Sequence, residues 1–182
     1  MTFEKTPILD LILISPAVYE DPRGYFFEAY NRARFLENGI GYEFIQDNQS
    51  FSTRGVIRGL HLQINPFAQA KLIRVLQGEI LDVAVDLRKS STTYGKHYSV
   101  ILSAENKKQL MVPHGFAHGF SVLSDTASVL YKVDGAYDKN SERGIRYDDG
   151  TLAIDWHLSP DKILVSDKDL ILPGFNAIDW EF

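Results

Sequence analysis

Gly55-Val56-Ile57-Arg58-Gly59-Leu60-His61-Leu62-Gln63, closed a few residues later by Gln69-Ala70-Lys71-Leu72-Ile73-Arg74, is the stretch that decides how the rest of the chain is read. At a period of two, Val56, Arg58, Leu60 and Leu62 fall on one face of an extended segment, and Ile57, Gly59, His61 and Gln63 on the other. A second segment, Ala70 to Leu76, alternates likewise, with Lys71 and Ile73 on one side and Leu72 and Arg74 on the other. Ile64-Asn65-Pro66-Phe67-Ala68 between them is rich in turn formers, so the two strands are expected to be close neighbours. That would bring Arg58, Lys71 and Arg74 within a few strand spacings of one imidazole, His61. Burying a charge unpaired between apolar positions costs several kcal/mol or more. An anionic ligand beside a proton-transfer residue would supply the missing partner.

Outward from this pair, short alternating runs recur. Ile8 to Ser15, ended by Pro16, reads as a first strand and is a candidate for pairing with another subunit. Asp21-Pro22-Arg23-Gly24 is a turn by composition and Tyr25 to Tyr30 an aromatic strand. Asn31 can cap a short helix over Arg32 to Glu37 that Asn38-Gly39 stops. Phe44 to Ser52 is extended and unusually polar. Further strands are expected at Glu79–Asp86, His97–Leu102, Gln109–Val112, Ala117–Leu123 and Ala127–Val133, separated by turn-like residues such as Gln77-Gly78 and Ser124-Asp125. From Asp134 the alternation fades, leaving short apolar pieces at Leu152–Trp156 and Ile163–Val165 that are expected to pack across the barrel. The whole chain, 1–182, reads as one all-β domain, an antiparallel sandwich or barrel with few short helices. Strand spacing alone does not separate a jelly roll from an immunoglobulin-like sandwich.

Composition narrows the function. Apolar residues make up 45% of the 182, which suits one folded domain with a sizeable core and excludes wholesale disorder. A net charge of −5 with no Lys/Arg run argues against a nucleic-acid surface, so any anion must be held by a few placed cations. The absence of cysteine rules out thiolate chemistry and disulfides. Met1 to Pro7 lacks the basic and apolar regions of a signal peptide, and no apolar run approaches the roughly 18 residues of a membrane span. A soluble, cytoplasmic protein without membrane contact is the expectation.

Gln46-Asp47-Asn48, Arg58-Gly59-Leu60-His61, Gln69-Ala70-Lys71-Leu72, Gly78-Glu79 with Asp82 to Asp86, Pro113-His114-Gly115-Phe116-Ala117-His118-Gly119-Phe120, and Tyr131-Lys132 stand in this order. With them the chain closely resembles the dTDP-4-dehydrorhamnose 3,5-epimerase family, from about Arg23 to Asp169. The resemblance implies a cupin-type jelly-roll barrel, a homodimer, a dTDP-linked sugar as substrate, and neither metal nor cofactor. His97-Tyr98 stands where a tryptophan is common in the family, and Val133 to Lys139 departs from it, which bears on substrate detail more than on reaction type.

Inverting a carbon beside a ketone requires a base for the α-proton, a group to hold the enolate oxygen, and an acid on the opposite face. His61 suits the base, since imidazole titrates near pH 6.5, and the family's base falls on it. Such a base needs an orienting carboxylate; the resemblance puts it at Asp169 in Ser166-Asp167-Lys168-Asp169. Tyr131 resembles the family's acid, a phenol that stays protonated at neutral pH. Lys71 is placed to meet the developing oxyanion. Arg58 and Arg23 offer forked guanidinium groups for a diphosphate, and Arg23 could serve a neighbouring subunit's site. The family likeness adds Tyr137 as an aromatic that stacks on thymine, and Glu28, Gln46, Asn48, His118, Glu142 and Lys168 as further ligand contacts.

Three other readings compete. A narrower enzyme would invert only C3 or C5 of a related nucleotide-linked 4-keto-6-deoxy sugar, motivated by the altered residues between Tyr131 and Tyr137. A metal-dependent cupin would need a His-x-His pair with a carboxylate nearby, but the second position after His61 is Gln63 and His118 lies far along the chain. A non-catalytic sugar-nucleotide-binding module would have lost the base or the acid, yet His61 and Tyr131 are both present.

Overall fold

The computed structural model describes all residues, Met1 to Phe182. Two antiparallel sheets face one another, in the jelly-roll arrangement of a cupin-type fold. The larger holds six strands in the order β1 (Thr2–Lys5), β2 (Ile12–Ser15), β10 (Gln109–Val112), β7 (Lys71–Gln77), β12 (Thr126–Val133) and β5 (Gln46–Thr53). The smaller holds five, in the order β13 (Glu142–Gly144), β6 (Ile57–Gln63), β11 (Phe116–Val122), β8 (Glu79–Asp86) and β9 (His97–Ser103). A separate hairpin pairs β3 (Val18–Asp21) with β4 (Gly24–Phe27). Helix α1 covers Arg32–Glu37, where Asn31 Oδ1 accepts from the Arg34 N–H, and α2 covers Asp167–Leu170.

Three apolar clusters hold these layers. Ile73, Val75, Ala84, Phe120 and Val129 come from both sheets and fill the space between them. Ile57, Leu60, Leu62 and Val85 lie on the outer face of the smaller sheet, where residues after Gly144, Trp156 and Leu152 among them, cover it. Burying a large apolar side chain in this way is worth roughly 1.5–3 kcal/mol. Trp156 keeps its polar end satisfied by donating from Nε1 to the Tyr147 carbonyl at 2.7 Å. Phe35 of α1 docks with Ile14, Leu72 and Met111 on the outer face of the larger sheet.

Three expectations from the sequence change. The run Ile8 to Ser15 is not one strand: Asp10 takes φ of 66°, a left-handed conformation that ends extension, so only Ile12–Ser15 is β and it pairs back on β1. The aromatic run from Tyr25 stops as a strand at Phe27. Most consequentially, β6 and β7 are not sheet neighbours. Residues 64–70 carry the chain from the smaller sheet to the larger, so the two strands face each other across the interior.

The alternation within β6 also breaks. Pairing with β11 runs His61 to His118 and then Arg58 to Phe120, a register shift centred on Gly59. Gly59 has φ of 117°, and a Cβ there would lie 2.6 Å from the Cα of Gly119. Only glycine tolerates both the conformation and the contact. The shift turns Leu60 outward to join Ile57 and Leu62, and it brings Arg58 to the same inner side as His61.

Candidate active site

Two cavities, of about 470 and 430 Å³, open between the sheets and share three lining residues, His61, Lys71 and Tyr131. The first is also lined by Ser50, Arg58, His118, Phe120, Lys168 and Asp169. The second carries Gln46, Asn48, Gln69, Tyr137 and Glu142. A larger hollow of about 630 Å³ lies against the β1–β2 turn and α1, but its principal charges are already matched. There Arg88 is paired with Asp86 and Asp10, and His114 with Asp134.

The dyad at the junction comes from distant parts of the chain. His61 Nε2 lies 2.7 Å from Asp169 Oδ1. Asp169 Oδ2 accepts from the Gly59 N–H at 3.3 Å, so the register shift that turns His61 inward also offers a donor to its partner. The C-terminal segment is docked by a short parallel bridge: Ile57 N–H donates to the Leu164 carbonyl and Leu164 N–H to that of Gly55, each at 2.9 Å. Ser166 then caps α2, its Oγ accepting from the Asp169 N–H at 3.2 Å, and this sets the carboxylate beneath the imidazole. Burial alone would push Asp169 up, but the bonds from His61, Gly59 and Ser166 hold its pKa below the ordinary carboxylate value. With Nε2 committed to Asp169, Nδ1 is the nitrogen left to take a proton.

Across the interior stand Tyr131 and Lys71, on adjacent strands of the larger sheet. Tyr131 pairs with Ile73, and Val133 with Lys71, so both polar side chains share the inward face. Burial raises the Tyr131 pKa, with Arg58 partly countering it, so the phenol remains a proton donor at neutral pH. Burial lowers Lys71 to about 8, with Asp82 and Glu142 pulling it back up. Lys71 Nζ donates to the His61 carbonyl at 3.3 Å, which ties the ammonium to the strand that carries His61. Arg58 is held by Ser52 Oγ at 2.9 Å and lines the first cavity.

The remaining expected residues divide clearly. His118 sits beside His61 on β11 and is bonded through Nε2 to buried Asp82 at 2.8 Å. Asn48 lies opposite Tyr131 and Gln46 opposite Val133 on β5, with Gln46 Nε2 donating to Asn48 Oδ1. Glu142 accepts from both Lys168 Nζ at 2.6 Å and Tyr137 Oη at 2.9 Å, joining the rims of the two cavities. Its pKa stays below the usual value, burial opposing and the two donors outweighing it.

Arg23 and Glu28 line neither cavity. Arg23 is exposed at the β3–β4 turn and paired with Asp21, and Glu28 holds Asn31 and Arg34. Arg74 also falls outside: it points to the outer face of the larger sheet, over the Phe27 ring. That separation follows from β7's alternation once β6 is not its neighbour. Three site residues were missed. Ser50, which continues the period of Gln46 and Asn48, lines the first cavity and has a buried hydroxyl without a partner. Asp82 bonds His118, a contact between residues far apart in sequence, whereas Ser166 is a local cap whose Ser-x-x-Asp spacing to Asp169 could have been read from the sequence.

Residues 5–177 match the sequence profile described as dTDP-4-dehydrorhamnose 3,5-epimerase. The chain is 51% identical to the dTDP-4-dehydrorhamnose 3,5-epimerase of Shigella flexneri over 181 residues, covering 99% of each chain. The crystal structure of the corresponding enzyme from Elizabethkingia anophelis NUHP1 superposes with a TM-score of 0.96 at 50% identity, again over 99% of each chain. A dTDP-6-deoxy-D-glucose-3,5-epimerase from Legionella pneumophila, solved in complex with dTDP-4-keto-L-rhamnose, gives 0.93 at 46% identity over 98% of this chain and 94% of that one.

Proposed function

Because the chain belongs to the dTDP-4-dehydrorhamnose 3,5-epimerase family, we propose that it converts dTDP-4-dehydro-6-deoxy-D-glucose to dTDP-4-dehydro-L-rhamnose by inverting C3 and C5. One observation carries this reading: His61, bonded to Asp169, and Tyr131 belong to opposite sheets, with Lys71 bonded to the base's strand from across the interior. A sugar ring between the sheets meets a base on one side and an acid on the other.

His61 Nδ1 takes the proton from the carbon beside the C4 ketone, and Asp169 stabilises the imidazolium that forms. The C–H electron pair moves into the ring as a double bond to C4, and the carbonyl electrons become an enolate oxyanion. The Lys71 ammonium faces that charge, and one such donor is worth about 3–4 kcal/mol in a preorganised site. Collapse of the enolate draws the Tyr131 proton to the opposite face. Loss of the imidazolium proton and reprotonation of the phenol by solvent restore the site for the second carbon. A positioned base contributes roughly 10²- to 10⁴-fold. For binding, Arg58 and Lys168 supply cations for the diphosphate, and Tyr137 with Gln46 and Asn48 an aromatic face and amide groups for the base.

The reading extends to a cytoplasmic homodimer. In the β3–β4 hairpin Tyr19 and Phe26 stand opposite one another across the two strands and are 67% and 71% exposed, an aromatic face of the kind that interfaces bury. A second copy covering it would let Arg23 and Glu28 complete the partner's site, which accounts for their distance from their own. No helix of the chain is long and apolar enough to cross a membrane.

The test is turnover of dTDP-4-dehydro-6-deoxy-D-glucose in deuterium oxide, followed by NMR of the product. The L-rhamno product with deuterium at both C3 and C5 is expected. Deuterium at one carbon alone would replace the reading with a single-position epimerase, and no exchange at either carbon would refute it.

A further inference from the structure

Gln63 stands two residues beyond His61 on β6, is buried, and has no part in the proton transfers above. Its carboxamide is nonetheless fully committed. Nε2 donates to the Ala136 carbonyl at 2.9 Å and to that of Phe67 at 2.7 Å, and Oε1 accepts from the Asp138 N–H at 2.6 Å. Two of these three bonds flank one residue. They hold the backbone immediately before and immediately after Tyr137, as a neighbouring strand's peptide group would.

We propose that Gln63 is a positioning residue for nucleotide recognition, clamping the loop that carries Tyr137 so that its ring is preset for the base. This rests on the reading of Tyr137 as the aromatic that receives the base. Surrounding contacts point the same way. Gln69 Nε2 holds the Gly135 carbonyl at 2.7 Å, and Asp134 Oδ1 accepts from the Ala70 N–H at 2.7 Å, so the loop is pinned along its length by the segment leading to Lys71. Glu142, the cross-strand partner of Gln63, accepts from the Tyr137 hydroxyl. The ring itself is 59% exposed at the edge of the second cavity. Packing therefore does not fix it; the backbone clamp and one hydroxyl bond do. A preset aromatic binds a base without first losing loop freedom, which is where such a clamp acts on affinity.

The experiment is calorimetric titration of dTDP into the full-length protein and its Gln63→Leu, Tyr137→Ala and doubly substituted variants, with steady-state kinetics on each. Stacking of a base on an aromatic corresponds to roughly 5- to 150-fold in affinity, so Gln63→Leu is expected to weaken dTDP by about 5- to 50-fold. The loss should fall in KM, with kcat within about threefold. In the Tyr137→Ala background Gln63→Leu should add less than about twofold, because its effect passes through that ring. Hydrogen exchange at the Asp138 amide should accelerate in Gln63→Leu with the ligand absent. If Gln63→Leu does not fold, Gln63→Asn, whose amide is one methylene too short to reach the loop, carries the same expectations. Unchanged dTDP affinity in a folded Gln63 variant, or losses that multiply in the double variant, overturn the clamp while leaving Tyr137 as the base platform. Unchanged affinity in Tyr137→Ala overturns both.

Discussion

Replacing Asp169 by Asn changes one atom's chemistry and almost no volume, so its consequences can be worked from the hydrogen bonds around it. Asp169 is 3% exposed, and both of its carboxylate oxygens accept: Oδ1 from His61 Nε2 and Oδ2 from the Gly59 N–H. An asparagine must aim its NH₂ group at one of these. Aimed at Gly59 it sets donor against donor and leaves a buried backbone N–H unpaired, at about 1–3 kcal/mol of stability. Aimed at His61 it makes Nε2 an acceptor, so the ring carries its proton on Nδ1, the nitrogen that must be free to act as base. Either way the negative charge that stabilises the imidazolium is gone. A carboxylate-to-amide change behind a catalytic histidine costs roughly 10⁴-fold in kcat when the tautomer is wrong, which is about 5 kcal/mol of transition-state stabilisation. Since both Asp169 oxygens are committed to His61 and Gly59, KM should hold within about threefold. Linkage gives a second signature. The lowered folded pKa of Asp169 means that its stabilisation is present above the unfolded value of 3.8 and is lost as pH falls through the folded one; the Asn variant should lack this acid-side dependence. Turnover, deuterium wash-in and melting from pH 3 to 7 are the measurements. A folded Asp169→Asn enzyme with kcat within tenfold of the parent, by the same scale, would refute the dyad.

Three other outcomes follow from the same geometry. Lys71, held near 8, holds the oxyanion only while protonated, so kcat/KM should fall on the alkaline side with an apparent pKa near 8 and Lys71→Arg should move that limb upward; a limb unmoved by Lys71→Arg assigns it elsewhere. In Tyr131→Phe the base remains but the opposite face has no acid, so deuterium exchange should persist while product forms about 10²-fold or more slowly; equal loss of both would contradict separate base and acid. If Arg23 serves the neighbouring site, mixing Arg23→Ala with His61→Asn subunits should restore activity through hybrid dimers that contain one intact site, whereas activity no higher than the sum of the parents refutes a role for Arg23 in the neighbouring site.

What the sequence discloses follows the range of each interaction. Helix α1 is legible to the residue because its stop and start are local: Asn31 caps from within the same turn and Asn38-Gly39 ends it. The windows of β8 and β10 are equally plain, since alternation and turn residues are also local. Turn-rich residues between β6 and β7, by contrast, are as compatible with crossing between sheets as with a hairpin. The choice is made by which faces must be buried, and with it goes the fate of Arg74. Asp169 is invisible to spacing because its role depends on the bridge from Leu164 to Gly55 and Ile57, made across more than half the chain.

The break in β6 shows how far a local rule can mislead at a functional site. Strict alternation assigns Arg58 and His61 to opposite faces, and for three residues' separation it can give no other answer. A site that needs both groups over one cavity must therefore break the period between them. Glycines at 59 and 119 permit it, each standing where a Cβ would collide with the backbone of the other's strand. The two glycines that a propensity argument counts as weak points are thus what allows His61 and Arg58 to converge on one cavity. Gly59 then donates its freed N–H to Asp169, so one irregularity both gathers the cavity's polar groups and holds the carboxylate bonded to His61. A residue larger than glycine at either position should cost catalysis before it costs the fold's remaining pairings, because the strain falls on the segment that carries Arg58 and His61 rather than on the ladders β11 makes with β8.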